Sequence, residues 1–162
     1  MNIKEQLDNI YYNKGNQSTD FWVTGLVKSQ EIIIRRKWKR YSEVVMPLNP
    51  EESYKLKWIN QRQVLNNEIV LDIEDKKDLD LVLIKLKELN NVICPKEIKI
   101  YDTHSRGYHV HLFFRNNISE ENKIKFIKYL GTDLSKAYTK TLIALEGVKH
   151  WKSGKVKEEV FL

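Results

Sequence analysis

Hydrophobic and polar positions are patterned most clearly in the second half of the chain. Glu68-Ile69-Val70-Leu71-Asp72-Ile73-Glu74 is rich in β-branched residues and reads as a strand. The spacing then turns helical: Leu79, Leu81, Leu83, Ile84, Leu86 and Leu89 predict an amphipathic helix over 76–90. Pro95 ends the connection. Glu97 to Thr103 and Tyr108 to Phe114 read as strands, and Ser105-Arg106-Gly107 between them predicts a β-hairpin turn. Ser119 stands where a cap belongs, before a helix over 120–130. A short helix over 133–139, a strand from Thr141 to Leu145 and a last strand within Val156 to Leu162 complete the half.

The first half is less regular. Residues 4–12 and 19–27 read as short helices, the second with Ser18 or Asp20 as cap. Over 30–40 a strand competes with a helix: Ile32, Ile34 and Trp38 fall on one parity, Ile33, Arg35 and Lys37 on the other. Pro47 and Pro50 bracket a turn, and 51–61 reads as a helix. The expected class is therefore α+β, one domain over 1–162. An N-terminal α/β lobe over 1–66 would precede a lobe over 67–162. From residue 68 the order is β-α-β-β-α-β, the ferredoxin-like or RNA-recognition-motif order, with an antiparallel sheet, helices on one face and the other face free to carry a site.

Composition narrows the classes. Of 162 residues, 41% are hydrophobic and 31% charged, which fits a soluble globular chain rather than a disordered one. No apolar run is long enough for a membrane span, and Met1-Asn2-Ile3-Lys4-Glu5-Gln6 lacks the apolar core of a secretory signal, so a cytoplasmic, non-secreted protein is expected. The single cysteine, Cys94, excludes an internal disulfide and a zinc site built on several cysteines, and it suits a reducing interior. A net charge of +6 mildly favours polyanionic partners such as nucleic acid or nucleotides.

Four stretches carry candidate chemistry. In Asp72-Ile73-Glu74 the carboxylates are two apart on a strand and share a face. Embedded among apolar residues they repel each other unless a cation lies between them, and Mg²⁺ or Mn²⁺ suits oxygen ligands. The plainer reading is a solvated strand end leading into a helix cap. In His104-Ser105-Arg106-Gly107-Tyr108-His109-Val110-His111, His109 and His111 share a strand face, and the turn can offer a guanidinium and backbone N–H groups to phosphate. The alternative is an ordinary hairpin with satisfied histidines. Lys149-His150-Trp151-Lys152-Ser153-Gly154-Lys155 is a basic loop suited to a triphosphate or a nucleic-acid backbone, although it lacks P-loop spacing and also fits a solvated loop. Arg35-Arg36-Lys37-Trp38-Lys39-Arg40-Tyr41 interleaves cations and aromatics, as a strand-tracking surface does, or as a charged edge strand does. Gly131-Thr132-Asp133 adds one more acid, with helix capping as its simpler role.

Together these residues resemble the archaeo-eukaryotic primase superfamily, the primase small subunits and the plasmid or viral primase-polymerases. The hydrophobic-x-hydrophobic-Asp-x-Asp/Glu motif matches Ile69 to Glu74. The Ser/Gly/Arg-rich turn ending in Gly-aromatic-His matches Ser105 to His109. A third acid matches Asp133, with Glu146 as the alternative. The late His-x-Lys-Thr-Gly segment matches His150-Trp151-Lys152-Ser153-Gly154, while Ala144 and Glu146 depart from the family pattern around it. The resemblance covers 68–155. It implies template-dependent nucleotidyl transfer with two divalent ions, Mg²⁺ or Mn²⁺, on Asp72, Glu74 and Asp133. His109 would be catalytic and contact the incoming nucleotide, and Ser105, Arg106, His111, His150 and Lys152 would hold phosphate. Outside that coverage, the cation–aromatic pattern itself makes Arg35, Arg36, Lys37, Trp38, Lys39 and Arg40 the candidate nucleic-acid contacts. The implied partners are a single-stranded DNA template, NTPs or dNTPs, and a regulatory or large primase subunit or helicase.

Two other readings compete. His109-Val110-His111 also fits a rolling-circle replication endonuclease, which needs a downstream tyrosine nucleophile; Tyr129 and Tyr138 fit that role poorly. A non-catalytic nucleic-acid-binding accessory subunit is the other.

Overall fold

The computed structural model describes residues 2–11, 20–29, 31–35, 37–46, 48–52, 59–90, 92–105, 107–138 and 141–161. Arg36, Pro47 and Arg106, and most of the helix expected over 51–61, lie outside the described residues. The fold is mixed α+β with antiparallel sheets. The chain divides into two compact units, residues 1–63 with 142–157, and 64–141 with 158–162.

In the first unit, helix α1 (Ile3–Tyr11) opens on a capping box. Asn2 Oδ1 accepts from Glu5 N, and Glu5 Oε2 accepts from Asn2 N. The helix buries Ile3, Leu7 and Ile10. Residues 19–27 do not form the expected helix. They carry β1 (Trp22–Thr24) and the start of β2 (Leu26–Ser29). The aromatic and β-branched run favours a strand, with Phe21 and Val23 buried while Trp22 faces out. Asp20 does not cap a helix; its carboxylate accepts from Phe21 N and from the backbone and hydroxyl of Ser42. Next come β3 (Ile32–Arg35), β4 (Lys39–Arg40) and β5 (Gln61–Gln63). The sheet order is β4-β1-β5-β9, with β9 at Leu142–Ala144, and β2 and β3 form a separate two-stranded ribbon.

The second unit holds β6 (Glu68–Ile73), α2 (Lys76–Leu89), β7 (Glu97–Asp102), β8 (Tyr108–Phe113), α3 (Glu120–Leu130), a 3-10 turn at Leu134–Ala137 and β10 (Glu158–Val160). Asp75 caps α2 and Ser119 caps α3; Gly131 closes α3 in the left-handed conformation. The sheet runs β10-β7-β8-β6, all neighbours antiparallel. Strands β6 and β7 are therefore parallel, with β8 inserted between them, a split β-α-β arrangement. Two features depart from expectation. The strand near 141–145 joins the sheet of the first unit, pairing with β5. The last strand of this sheet is β10, and it pairs with β7, whereas a ferredoxin-like sheet pairs its fourth strand with its first.

The sheet's two faces differ sharply. Ile69, Leu71, Ile73, Val110 and Leu112 pack with Leu79 and Val82 of α2 and with Phe126, Ile127 and Leu130 of α3. Register places Glu68, Val70 and Asp72 opposite Phe113, His111 and His109 on the other face. Lys99 and Tyr101 of β7 continue those rows. That face is not free along its whole length. Glu68, Val70, His111 and Phe113 are fully or almost fully buried, and the Asp72 side chain, at 38% exposed, marks where the face opens.

Candidate functional site

The open end of β6 gathers two of the sequence motifs. Asp72 lies directly across from His109, and His109 Nε2 is 3.7 Å from Asp72 Oδ1. Glu74 is exposed one residue past the strand. Gly107 closes against the same spot. A Cβ on it would lie 2.0 Å from the carbonyl oxygen of Ile73 and 2.5 Å from that of Glu74, at a φ of +156°. Only glycine fits this approach, so the invading hairpin turn is held on the backbone of the Asp-x-Glu segment.

The turn is built from within. Thr103 Oγ1 accepts from the amides of Ser105 and Gly107 and donates to Gly107 O; Thr103 N also donates to Gly107 O. His104 N donates to Asp102 Oδ1, and its ring Nε2 lies 2.9 Å from Glu158. The amides of 104, 105 and 107 are thus engaged inside the turn, contrary to the expectation that the turn offers open N–H groups to phosphate. Ser105 is exposed.

His111 has a different setting from His109. Its ring is 1% exposed, and its Nδ1 is 2.7 Å from Glu68 Oε2. Glu68 Oε1 accepts from Leu65 N, and Lys123 Nζ donates to Leu65 O. Burial pushes the Lys123 ammonium below its ordinary pKa, against the pull of Glu68 and Glu120. Tyr101 meets the His111 ring edge-on and Phe113 stacks on it. This buried pair was missing from the sequence reading. The available signal was parity: Glu68 shares a face with Asp72, as His111 does with His109.

Asp133 is exposed and caps the 3-10 turn at Leu134–Ala137, accepting from Ser135 N. That turn packs on the helical side of the sheet through Leu134 and Ala137. Among the described residues no group of three or more His, Cys, Asp or Glu is gathered as a metal site, so Asp72, Glu74 and Asp133 are not brought together as three ligands. Glu146, the alternative third acid, is buried in the first unit. Arg62 Nε donates to both its oxygens at 3.2 and 3.1 Å, and Lys157 Nζ is 3.1 Å from Oε1. Sequence patterning missed this cluster too: Arg62 lies just past the helix expected over 51–61, and no local signal ties it to Glu146 or Lys157.

Also in the first unit, residues 150–155 form a tight turn. His150 N donates to Lys155 O, and Gly154 N donates to His150 O. His150 Nδ1 accepts from Lys152 N at 3.1 Å and Ser153 N at 3.4 Å. An acceptor at Nδ1 fixes the neutral ring with its proton on Nε2. Burial and the adjacent Lys152 push its pKa below the ordinary value. The turn therefore offers an Nε2–H donor beside the exposed Lys152.

The cation–aromatic segment is also in this unit. Arg35 lies over Trp38 at 5.5 Å and Arg40 over Trp22 at 4.7 Å, across the β1–β4 pair. Trp22, Arg35, Lys37, Trp38, Lys39 and Arg40 are all exposed. Trp22 was not among the residues anticipated here; only strand pairing brings it to Arg40.

Comparison with protein-family models, curated proteins and solved structures found no match. No helix among the described residues is long and apolar enough to cross a membrane.

Proposed function

We propose that the chain is a minimal primase-polymerase-like nucleotidyltransferase that extends or starts a nucleic-acid chain on a single-stranded template. The observation that carries the reading is the pairing of Asp72 with His109 at the open end of β6, with Gly107 seated on the backbone of Ile73 and Glu74. Two motifs that resemble one family's metal and nucleotide motifs, distant in sequence, meet there.

The donor chemistry suits a hard divalent cation, Mg²⁺ or Mn²⁺: carboxylate oxygens at an exposed strand end, with an imidazole alongside. Asp72 and Glu74 would hold it. When bound, such an ion activates a 3′-hydroxyl and offsets charge on the leaving pyrophosphate. His109 would donate a hydrogen bond to phosphate of the incoming nucleotide, beside the Asp72 carboxylate. Ser105 and Arg106 would border the nucleotide. The Nε2–H of His150 and the Lys152 ammonium form a phosphate-binding element on their own unit, and Trp22, Arg35, Trp38 and Arg40 form a surface for a single strand. A two-ion mechanism would need a further ligand beyond this carboxylate pair; Asp133, which the resemblance assigns to it, caps a turn on the helical side of the sheet and is not gathered with the pair.

The endonuclease reading is less well supported. It requires two histidines open on one strand face, and His111 is buried against Glu68.

The test is template-directed incorporation. The chain would receive a labelled primer–template, or a bare single strand, with NTPs or dNTPs and Mg²⁺ or Mn²⁺. We expect products that follow the template and vanish in Asp72→Ala. Product on the bare strand would make it a primase. Folded, strand-binding protein with no synthesis under any condition would overturn the reading in favour of an accessory subunit; a nicked or covalently tagged strand would favour the endonuclease.

A further inference from the structure

The helical side of the second unit carries an open apolar groove between α2 and α3. A cavity of about 440 Å³ there adjoins one of about 210 Å³, the two sharing Leu89, Ile93 and Phe126 as walls. The floor is the sheet's apolar face, reached through Ile69 in the larger cavity and Ile98 in the smaller. Tyr129 of the larger cavity and Ile98 of the smaller are also exposed at the surface. A contiguous patch of this kind marks an interaction surface more often than scattered single residues do.

Among the described residues, the charged side chains that line the groove are lysines. The charged residue lining the larger cavity is Lys125, and the one lining the smaller is Lys87; the other polar lining groups are Asn122 and Asn90. Among the described residues no carboxylate lines either cavity. Lys85 adds a third cation at the lip, its Nζ 3.5 Å from Tyr129 O and 5.7 Å from the Tyr129 ring centroid. Lys125 pairs with Glu121 at 3.3 Å, but both side chains are largely exposed, and such an i,i+4 pair is weak enough to exchange for an incoming carboxylate.

We propose that this groove docks an acidic amphipathic segment of a partner protein, its apolar side chains filling the two cavities and its carboxylates pairing with Lys87 and Lys125. Two adjoining apolar cavities floored by the sheet and edged by lysines suit the helix-in-groove mode, in which one apolar stripe is buried and the flanking charges set the partner's identity. An extended groove with cations at both cavities fits a segment with acids on either side of an apolar stripe better than a single small anion. The proposal is independent of the nucleotidyl-transfer reading, because none of these residues belongs to the site at the end of β6.

The experiment uses the full chain and a labelled amphipathic peptide of about 15 residues, with Leu and Phe at helical spacing and Asp or Glu elsewhere. A control peptide carries Lys in place of every acid. Fluorescence anisotropy should show saturable binding of the acidic peptide alone. Lys87→Glu with Lys125→Glu should weaken it by at least about tenfold and let the lysine peptide bind instead. Both lysines are exposed, so an unchanged thermal melt is the folding control, and Tyr129→Ser should weaken binding without changing the charge preference. Equal affinity for both peptides, no saturable binding, or indifference to the double reversal would overturn the proposal. A concentration-dependent dimer that the double reversal abolishes would also overturn it, assigning the groove to a second copy.

Discussion

Gly107 leaves no room for a side chain against the carbonyl oxygen of Ile73: a Cβ would sit 2.0 Å from it. This approach locks the hairpin turn between β7 and β8 to the end of β6, and so fixes where His109 begins relative to Asp72. Gly107→Ala must move one backbone segment or the other. We expect a loss of about 1–3 kcal/mol, read by urea denaturation, as for other overpacked sites. Gly131→Ala is the control. A Cβ there meets nothing within 4 Å, so only the left-handed φ of +74° is penalised, by about 1–2 kcal/mol. Gly107→Ala should also reduce synthesis more than its stability loss explains, and Gly131→Ala should not.

Glu146 is 3% exposed and held by Arg62 and Lys157. Glu146→Gln leaves two buried cations facing a neutral amide. Breaking such a cluster from one side costs about 3–5 kcal/mol. Denaturant titration of the variant should show a shifted midpoint with an unchanged slope.

The His150 turn makes a pH prediction. Its pKa in the folded chain is depressed below the ordinary 6.5. The unfolded chain therefore takes up the proton first as pH falls, and the stabilisation from the neutral ring is present above about pH 6.5 and lost as pH falls through the depressed folded value. Protonation also removes the Nδ1 acceptor of Lys152 N and Ser153 N. The His150 ring resonances in an NMR titration should move at a pH below 6.5. In His150→Asn, whose side-chain oxygen can accept the same amides, the part of the acid destabilisation due to this residue should disappear.

The basic–aromatic surface should bind strands without regard to sequence. Arg35→Ala and Arg40→Ala should each weaken single-strand binding similarly for different sequences, and each phosphate contact removed should lower the salt slope by about 0.7. Trp22→Ala should weaken binding by the loss of about 1–3 kcal/mol of stacking while leaving the salt slope unchanged. Filter binding at several salt concentrations separates the two effects.

Much of the second unit was legible in the sequence because its signals are local. β6, α2, the β7–β8 hairpin and α3 with its Ser119 cap fall within a residue or two of their expected ends. Pairing was not legible. The strand near 141–145 was expected to complete the same sheet, yet Ile143 faces Arg62 in another one. Nothing in the pattern of a three-residue strand says which edge it will join. Residues 19–27 were misread because Phe21-Trp22-Val23-Thr24 suits both periods over so short a run, and burial of Phe21 and Val23 on one side decides for the strand. At the site, parity paired Asp72 with Glu74 and His109 with His111, and the strand register sets Asp72 across from His109. The different fates of His109 and His111 were hidden, since they depend on Glu68 lying in reach of one ring and Asp72 near the other.

The claim on which the functional account depends is that Asp72 and Glu74 bind a divalent cation with nucleotide at the end of β6. Titration of Mn²⁺ into the full chain with a dNTP present, followed by electron paramagnetic resonance of the free ion, measures this directly. The account predicts Mn²⁺ bound to the protein beyond what the nucleotide alone takes up, lost in Asp72→Asn and in Glu74→Gln while the folded strand-binding protein persists. Binding in both variants equal to that of the unaltered chain would contradict it.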